Sequence, residues 1–386
     1  MTPREGPRVA LVTYSTKPRG GVVHTLSLAE ALAERGAHVR IVALAPPGQG
    51  FFRPVGVPCT MVPASPPGPT LEERVFASID DLEEGLAGIA DEVDILHTQD
   101  CISARAAARV RDAGAHLQVV RTVHHVDDFT TQALIDCQRK AIEEPDGLVV
   151  VSEDWRRRLR AEYAVDSVVI HNGVDPSRFP PIDSERRDAV RREAGVADRF
   201  VFLTVGGIEP RKGSVFLFQA LARLRDASDI QPALVVVGGH SFQDYSRYRD
   251  EALAMVPGLG LEIGRDVVLA GSVDDDELHA WYRSADAFVF PSVKEGWGLA
   301  VMEALSADLP VVSSDIAVLH EYLTPGRSAV MTRTGDPASL AEGMRTVATD
   351  RGLRETLVQG GRELLPGFSW PRAAEEHARL YAEISP

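Results

Sequence analysis

Short runs of β-branched and aromatic residues alternate with stretches whose apolar positions recur at helical spacing, along almost the whole chain. Arg8–Tyr14 (RVALVTY) predicts a buried strand. Beyond Gly20-Gly21, Val22, Leu26, Ala29 and Ala33 mark one face of a helix that ends at Gly36, and His38–Leu44 predicts the second strand. Gly48 to Pro69 is rich in proline and glycine and predicts a surface connection around one short strand. A helix over Ile79–Ala90 and strands over Val93–His97, Val119–Val123 and Val168–Ile170 follow. His171-Asn172-Gly173-Val174-Asp175 then reads as a turn, because Asn-Gly makes positive φ inexpensive.

The same alternation resumes after Pro180-Pro181 and a charged helix over Ser184–Ala194. Predicted strands are Phe200–Val205, Ala233–Val237, Val267–Ala270, Phe288–Phe290 and Val311–Ser313. Predicted helices are Ser214–Leu224, Leu278–Ser284 and one starting at Leu299. The pattern is that of an α/β chain with two doubly wound, Rossmann-like lobes, 1–180 and 181–368. Ser369-Trp370-Pro371 introduces a last helix, Ala373–Ile384, in a terminal segment 369–386.

Length agrees: 386 residues exceed one typical core and suit two domains of under about 200 residues each. The formal net charge of -15 argues against a nucleic-acid binder, which needs a basic footprint. Cys59, Cys101 and Cys137 are sparse, odd in number and lack metal-ligand spacing, as expected in a reducing cytoplasm. The first residues, MTPREGPRVALVTYS, show no signal-peptide core, and no run has the length of a membrane span, so a cytoplasmic protein is expected.

Candidate chemistry gathers at the predicted strand ends, where doubly wound sheets bind ligands. Glu295 and Glu303 are eight residues apart across a Gly296-Trp297-Gly298 loop and the helix start at Leu299, so both carboxylates can face one crevice. Gly206-Gly207-Ile208-Glu209-Pro210-Arg211-Lys212-Gly213 joins a strand to a helix. Its glycines permit close backbone approach, and Arg211 and Lys212 offer complementary charges to a diphosphate. Gly20 and Gly21 lie at another helix N-terminus, where free amides favour phosphate. His124 and His125 end a strand. Asp274-Asp275-Asp276-Glu277 invites a metal, but at a helix start these acids are expected to cap amides. Arg156, Arg157, Arg158 and Arg160 form the densest basic cluster. It is expected to be a solvated helix face, with peripheral membrane contact the alternative.

An acid followed by Gly-aromatic-Gly and a second acid eight residues on resembles the signature of retaining GT-B glycosyltransferases of the large family-four (group 1) type. The strand–Gly–Arg-Lys-Gly segment and the Asn-Gly-Val-Asp turn resemble the same family. The resemblance implies a GT-B architecture, with an interlobe crevice and a last helix crossing back to the first lobe. It implies a nucleotide-diphosphate sugar donor and an acceptor that is a small molecule, glycan or lipid, with neither cofactor nor metal. By the resemblance, Arg211 and Lys212 bind the leaving phosphates and Glu303 the ribose. Glu295, the amides of Gly296, Trp297, Gly298 and Leu299, and His124 serve the sugar; Gly20, Gly21 and Gly207 approach the donor, and Gly271 lies near the base. His97 and His125 are expected to be plain structural residues. One departure is Asp308-Leu309-Pro310, where the family usually has Gly-x-Pro. A nucleotide-sugar epimerase and a non-catalytic two-lobed sugar-binding protein remain as alternatives; a phosphorylase would need a pyridoxal lysine, for which no motif is present. Acceptor, nucleotide, sugar and oligomeric state are not legible.

Overall fold

The computed structural model describes residues 6–227, 229–239 and 245–385. Most of the segment ahead of the first strand, on which the expectation of no leader partly rests, lies outside the described residues. The chain divides into two compact units, Met1–Gly173 with Phe368–Pro386, and Val174–Gly367.

In the first unit seven strands form one parallel sheet: β1 (Val9–Thr13), β2 (Val39–Ala45), β3 (Cys59–Pro63), β4 (Ile95–Thr98), β5 (Gln118–Val123), β6 (Gly147–Val150) and β7 (Val168–Val169). Their order is β3-β2-β1-β4-β5-β6-β7. The sheet is therefore wound outward in both directions from β1 and β4, and its ligand crevice lies beyond the carboxyl ends of those strands. All five side chains of β1 are buried, which is why it reads as an unbroken apolar run. The C-terminal helix Trp370–Ile384 belongs to this unit and packs on helix Gly20–Glu34, where Trp370 and His377 meet His24.

The second unit repeats the topology with six strands: β8 (Phe200–Val205), β9 (Pro232–Val237), β10 (Val267–Gly271), β11 (Ala287–Phe290), β12 (Val311–Ser314) and β13 (Val330–Thr332). The order is β10-β9-β8-β11-β12-β13, and the switch point falls between β8 and β11.

Several expectations are displaced. The helix expected over Ile79–Ala90 spans Leu71–Ala87. Its first turn is polar, so the apolar pattern hides it, but the Thr70 hydroxyl and Glu73 carboxylate form a capping box that starts it there. Helices Cys101–Asp112, Gln132–Glu143, Ser246–Gly258, Pro337–Thr349 and Arg351–Leu364 were not legible as such. The units part between Gly173 and Val174, not at Pro181. A Cβ on Gly173 would lie 2.2 Å from the Trp370 amide nitrogen, which ties this residue to the C-terminal helix. Phe179 instead packs on Tyr282 of the second unit.

Asp308, standing where the family has glycine, adopts φ 58°. Its carboxylate accepts from Arg283 at 3.0 Å and Arg362 at 2.7 Å, and these bonds offset the cost of a left-handed non-glycine residue. Arg156 pairs with Glu153, and Arg157 and Arg158 pair with Asp154, all within one helix, as a solvated face would. Among the described residues no helix is long and apolar enough to cross a membrane.

Candidate active site

The second unit brings its cations and one of its acids together at the switch point. Chain leaving β8 passes Gly206-Gly207 and makes a single 3-10 turn, Pro210–Lys212, before helix Ser214–Asp226. Gly213 joins the two at φ 68°, and a Cβ there would lie 2.1 Å from the Pro291 carbonyl, so only glycine lets these two loops meet. Lys212 is thereby laid across the end of β11. Its ammonium sits 5.0 Å from the Phe290 ring centroid and donates to Glu295 Oε2 at 2.7 Å. Arg211 approaches Glu295 Oε1 at 3.3 Å and Glu209 Oε2 at 3.0 Å. Burial lowers the Lys212 pKa, against the pull of Glu295. Thr204, Gly206, Gly207, Lys212, Phe290 and Ser292 line a recess beside this cluster.

Two cations and two carboxylates leave the cluster close to neutral. Arg211 and Lys212 are held by acids that an arriving anion would have to replace or share. Both helices that open here, Ser214–Asp226 and Leu299–Ser306, begin behind a left-handed glycine and have no side-chain cap. Their first-turn amides and dipole ends therefore face the strand ends without a carboxylate of their own.

Glu303 lies on helix Leu299–Ser306, with one carboxylate oxygen accepting from the Tyr282 hydroxyl at 2.8 Å. Burial pushes its carboxyl up to about 7, opposed by the Tyr282 hydrogen bond and the nearby Arg178 charge. Arg178 itself pairs with Asp275. The expected capping holds: Asp274 accepts from the Glu277 amide at 2.9 Å. Among the described residues no group of His, Cys, Asp or Glu is arranged to hold a metal ion.

Trp297 is 2 % exposed, and its ring packs on Tyr322 at 4.8 Å, so its side chain is core. Gly298 has φ 97° and lies against Tyr322, while Gly296 is also buried. What Gly296, Trp297, Gly298 and Leu299 can offer a ligand is backbone. Gly207 is packed against the Gly239 carbonyl and Glu209. Gly271 ends β10 in a left-handed conformation, with open space at its Cβ position and its carbonyl accepting from the Gly238 amide.

In the first unit, Gly20 opens helix Gly20–Glu34, which has no side-chain cap and no acid in its first turn. A Cβ on Gly21 would lie 3.5 Å from His124 Cδ2, so the glycine pair and His124 meet at one place. His124 Nε2 is 3.0 Å from Gln99 Oε1, and burial lowers its pKa to about 3, so the ring is neutral. The sequence hid a cluster behind it. His24 lies 4.7 Å from His124, ring to ring, and His24 Nδ1 is 2.8 Å from Asn172 Oδ1. His97, fully buried, bonds Tyr381 at 2.6 Å and Thr122 at 2.7 Å, while His125 is exposed. The three cysteines are free, Cys59 exposed and the other two buried.

Residues 18–178 match the Glycosyltransferase Family 4 domain and residues 186–364 the Glycosyl transferases group 1 domain. A D-inositol 3-phosphate glycosyltransferase from Catenulispora acidiphila is 29% identical over 99% of this chain and 97% of its own. The fold is also that of sucrose-phosphate synthase from Thermosynechococcus elongatus (TM-score 0.81, 22% identity, 98% of this chain and 99% of that one). Anabaena HepE, in complex with UDP and glucose, is similar (TM-score 0.80, 19% identity, 98% and 100%). The chain belongs to the group 1 glycosyltransferases and has the GT-B fold. It is therefore a glycosyltransferase.

Proposed function

We propose that this enzyme transfers a sugar from a nucleoside-diphosphate sugar to an acceptor hydroxyl with retention at the anomeric carbon and without a metal ion. The observation that carries this reading is the Lys212–Glu295 pair, set with Arg211 between two uncapped helix starts at the switch point. Lys212 and Arg211 are assigned to the diphosphate, Glu303 to the ribose, and Glu295 with the amides after it to the sugar.

As the bond from the anomeric carbon to phosphate oxygen breaks, negative charge builds on the leaving diphosphate. Fixed cations and helix-start amides stabilise that charge in place of a metal. The acceptor oxygen bonds to the same face of the anomeric carbon, and its proton passes to the departing phosphate, so no protein base is needed. Glu295, released from the cations by the phosphates, becomes an acceptor for sugar hydroxyls. Family membership favours transfer over the epimerase and the non-catalytic binder.

A phosphorylated polyol is the first acceptor to test, because relatives are named D-inositol 3-phosphate glycosyltransferases. The test is turnover of UDP-glucose, ADP-glucose and GDP-glucose with myo-inositol phosphate in excess EDTA, with product configuration read by NMR. Transfer in chelator to an α-linked product is expected. Inversion, or activity only with added divalent metal, would contradict the reading.

A further inference from the structure

The Tyr282–Glu303 contact assigns a role to a residue that none of the family's signature positions covers. Tyr282 lies on helix Asp275–Ser284 and is fully buried. Its ring is fixed between Phe179 (centroids 5.4 Å apart, perpendicular) and Phe288 (5.8 Å). Held so, its hydroxyl faces two acceptors on helix Leu299–Ser306, and the shorter contact is to Glu303. It donates to Glu303 Oε2 at 2.8 Å and lies 3.3 Å from the Ala300 carbonyl one turn earlier on the same helix.

The chemistry of the pair is one-sided. A phenol donates to a carboxylate, and burial keeps Tyr282 protonated by raising its own pKa well above the usual value. The bond therefore stabilises ionised Glu303 against a burial penalty that otherwise neutralises it. It also anchors one carboxylate oxygen, while Oε1 has no hydrogen bond among the described residues. An anchored carboxylate with one oxygen open suits a vicinal diol, and a carboxylate accepts more hydrogen bonds than its neutral acid.

We infer that Tyr282 is the positioning residue of the ribose subsite. It orients Glu303 and keeps it ionised near neutral pH, and so sets both ribose recognition and its acid limit. This rests on the donor-site reading of the second unit. The other charged groups that face Glu303 are Arg178, which favours its ionised form, and Asp275, which opposes it; they neutralise each other in an ion pair.

The test is calorimetric titration of wild type and Tyr282→Phe between pH 5.5 and 8.5, using UDP-glucose and ADP-glucose and their 2′,3′-dideoxyribose analogues. Nucleotide sugars are diesters of diphosphate and do not titrate in this range. For wild type, affinity for the ribose donor should rise with pH through about 7, as Glu303 ionises, and the dideoxy analogue should show no such rise. Tyr282→Phe should bind the ribose donor roughly tenfold more weakly at pH 7.5, with the rise moved to higher pH. It should bind the dideoxy analogue as wild type does, which a merely misfolded variant would not. If wild type binds neither ribose donor, the donor-site reading fails and this inference with it. If wild type binds and Tyr282→Phe keeps its affinity and pH profile, only the inference is overturned. An equal loss for ribose and dideoxy ligands also overturns it, because the hydroxyl would then serve packing alone.

Discussion

Lys212 is a largely buried cation held at the end of β11. Its ammonium is desolvated, sits over Phe290 and is balanced by Glu295, so it is positioned before any ligand arrives. A charge fixed in advance costs no reorganisation when the leaving group develops its own. Lys212→Ala should reduce turnover roughly 10²–10³-fold with unchanged circular dichroism, since Glu295 retains Arg211 as partner. Turnover within a few-fold of wild type would remove Lys212 from the leaving-group site. Sequence alone pointed to Lys212, Glu295 and Glu303 because each motif is local to one loop and the helix that follows it. It was silent on Tyr282, which meets Glu303 only through the packing of two helices, and on the burial of Trp297.

Among elements, the strands were the most legible part of the fold, because parallel strands buried on both faces read as unbroken apolar runs. Helices such as Cys101–Asp112 were missed, since alanines and arginines give little periodic contrast. The C-terminal helix Trp370–Ile384 was visible and the resemblance implied that it packs on the first lobe, but the residues it meets were not legible: His377 and Tyr381 meet His97 and His24, which the sequence scatters widely. Burial holds His24 and His97 well below the ordinary imidazole pKa and His377 at about 4. Below about pH 6.5 the unfolded chain takes up protons that the folded unit refuses, so this stability is present above 6.5 and lost as pH falls. Glu303 has the opposite sign: its raised pKa means the second unit gains stability as pH drops through 7. Amide exchange corrected for intrinsic rate should therefore accelerate in residues 370–384 between pH 6.5 and 4.5, more than in residues 299–306. Equal or reversed changes would show that the histidines do not govern docking of this helix.

For the whole molecule, two units repeat one winding order, and each gathers its candidate groups at the point where that order reverses. A net charge of -15 makes the chain a poor general ligand for anions, so a diphosphate must find local cations rather than an overall field. Arg211 and Lys212 are such cations, and the structure adds that carboxylates hold them in place. We propose that this cluster binds a nucleoside diphosphate without metal. The most direct measurement is calorimetric titration of wild type and Lys212→Ala with UDP, ADP and GDP in excess EDTA. At least one diphosphate should bind wild type with about micromolar affinity, and Lys212→Ala should weaken it about tenfold or more. No binding by any of the three in chelator, or equal binding by both proteins, would contradict it.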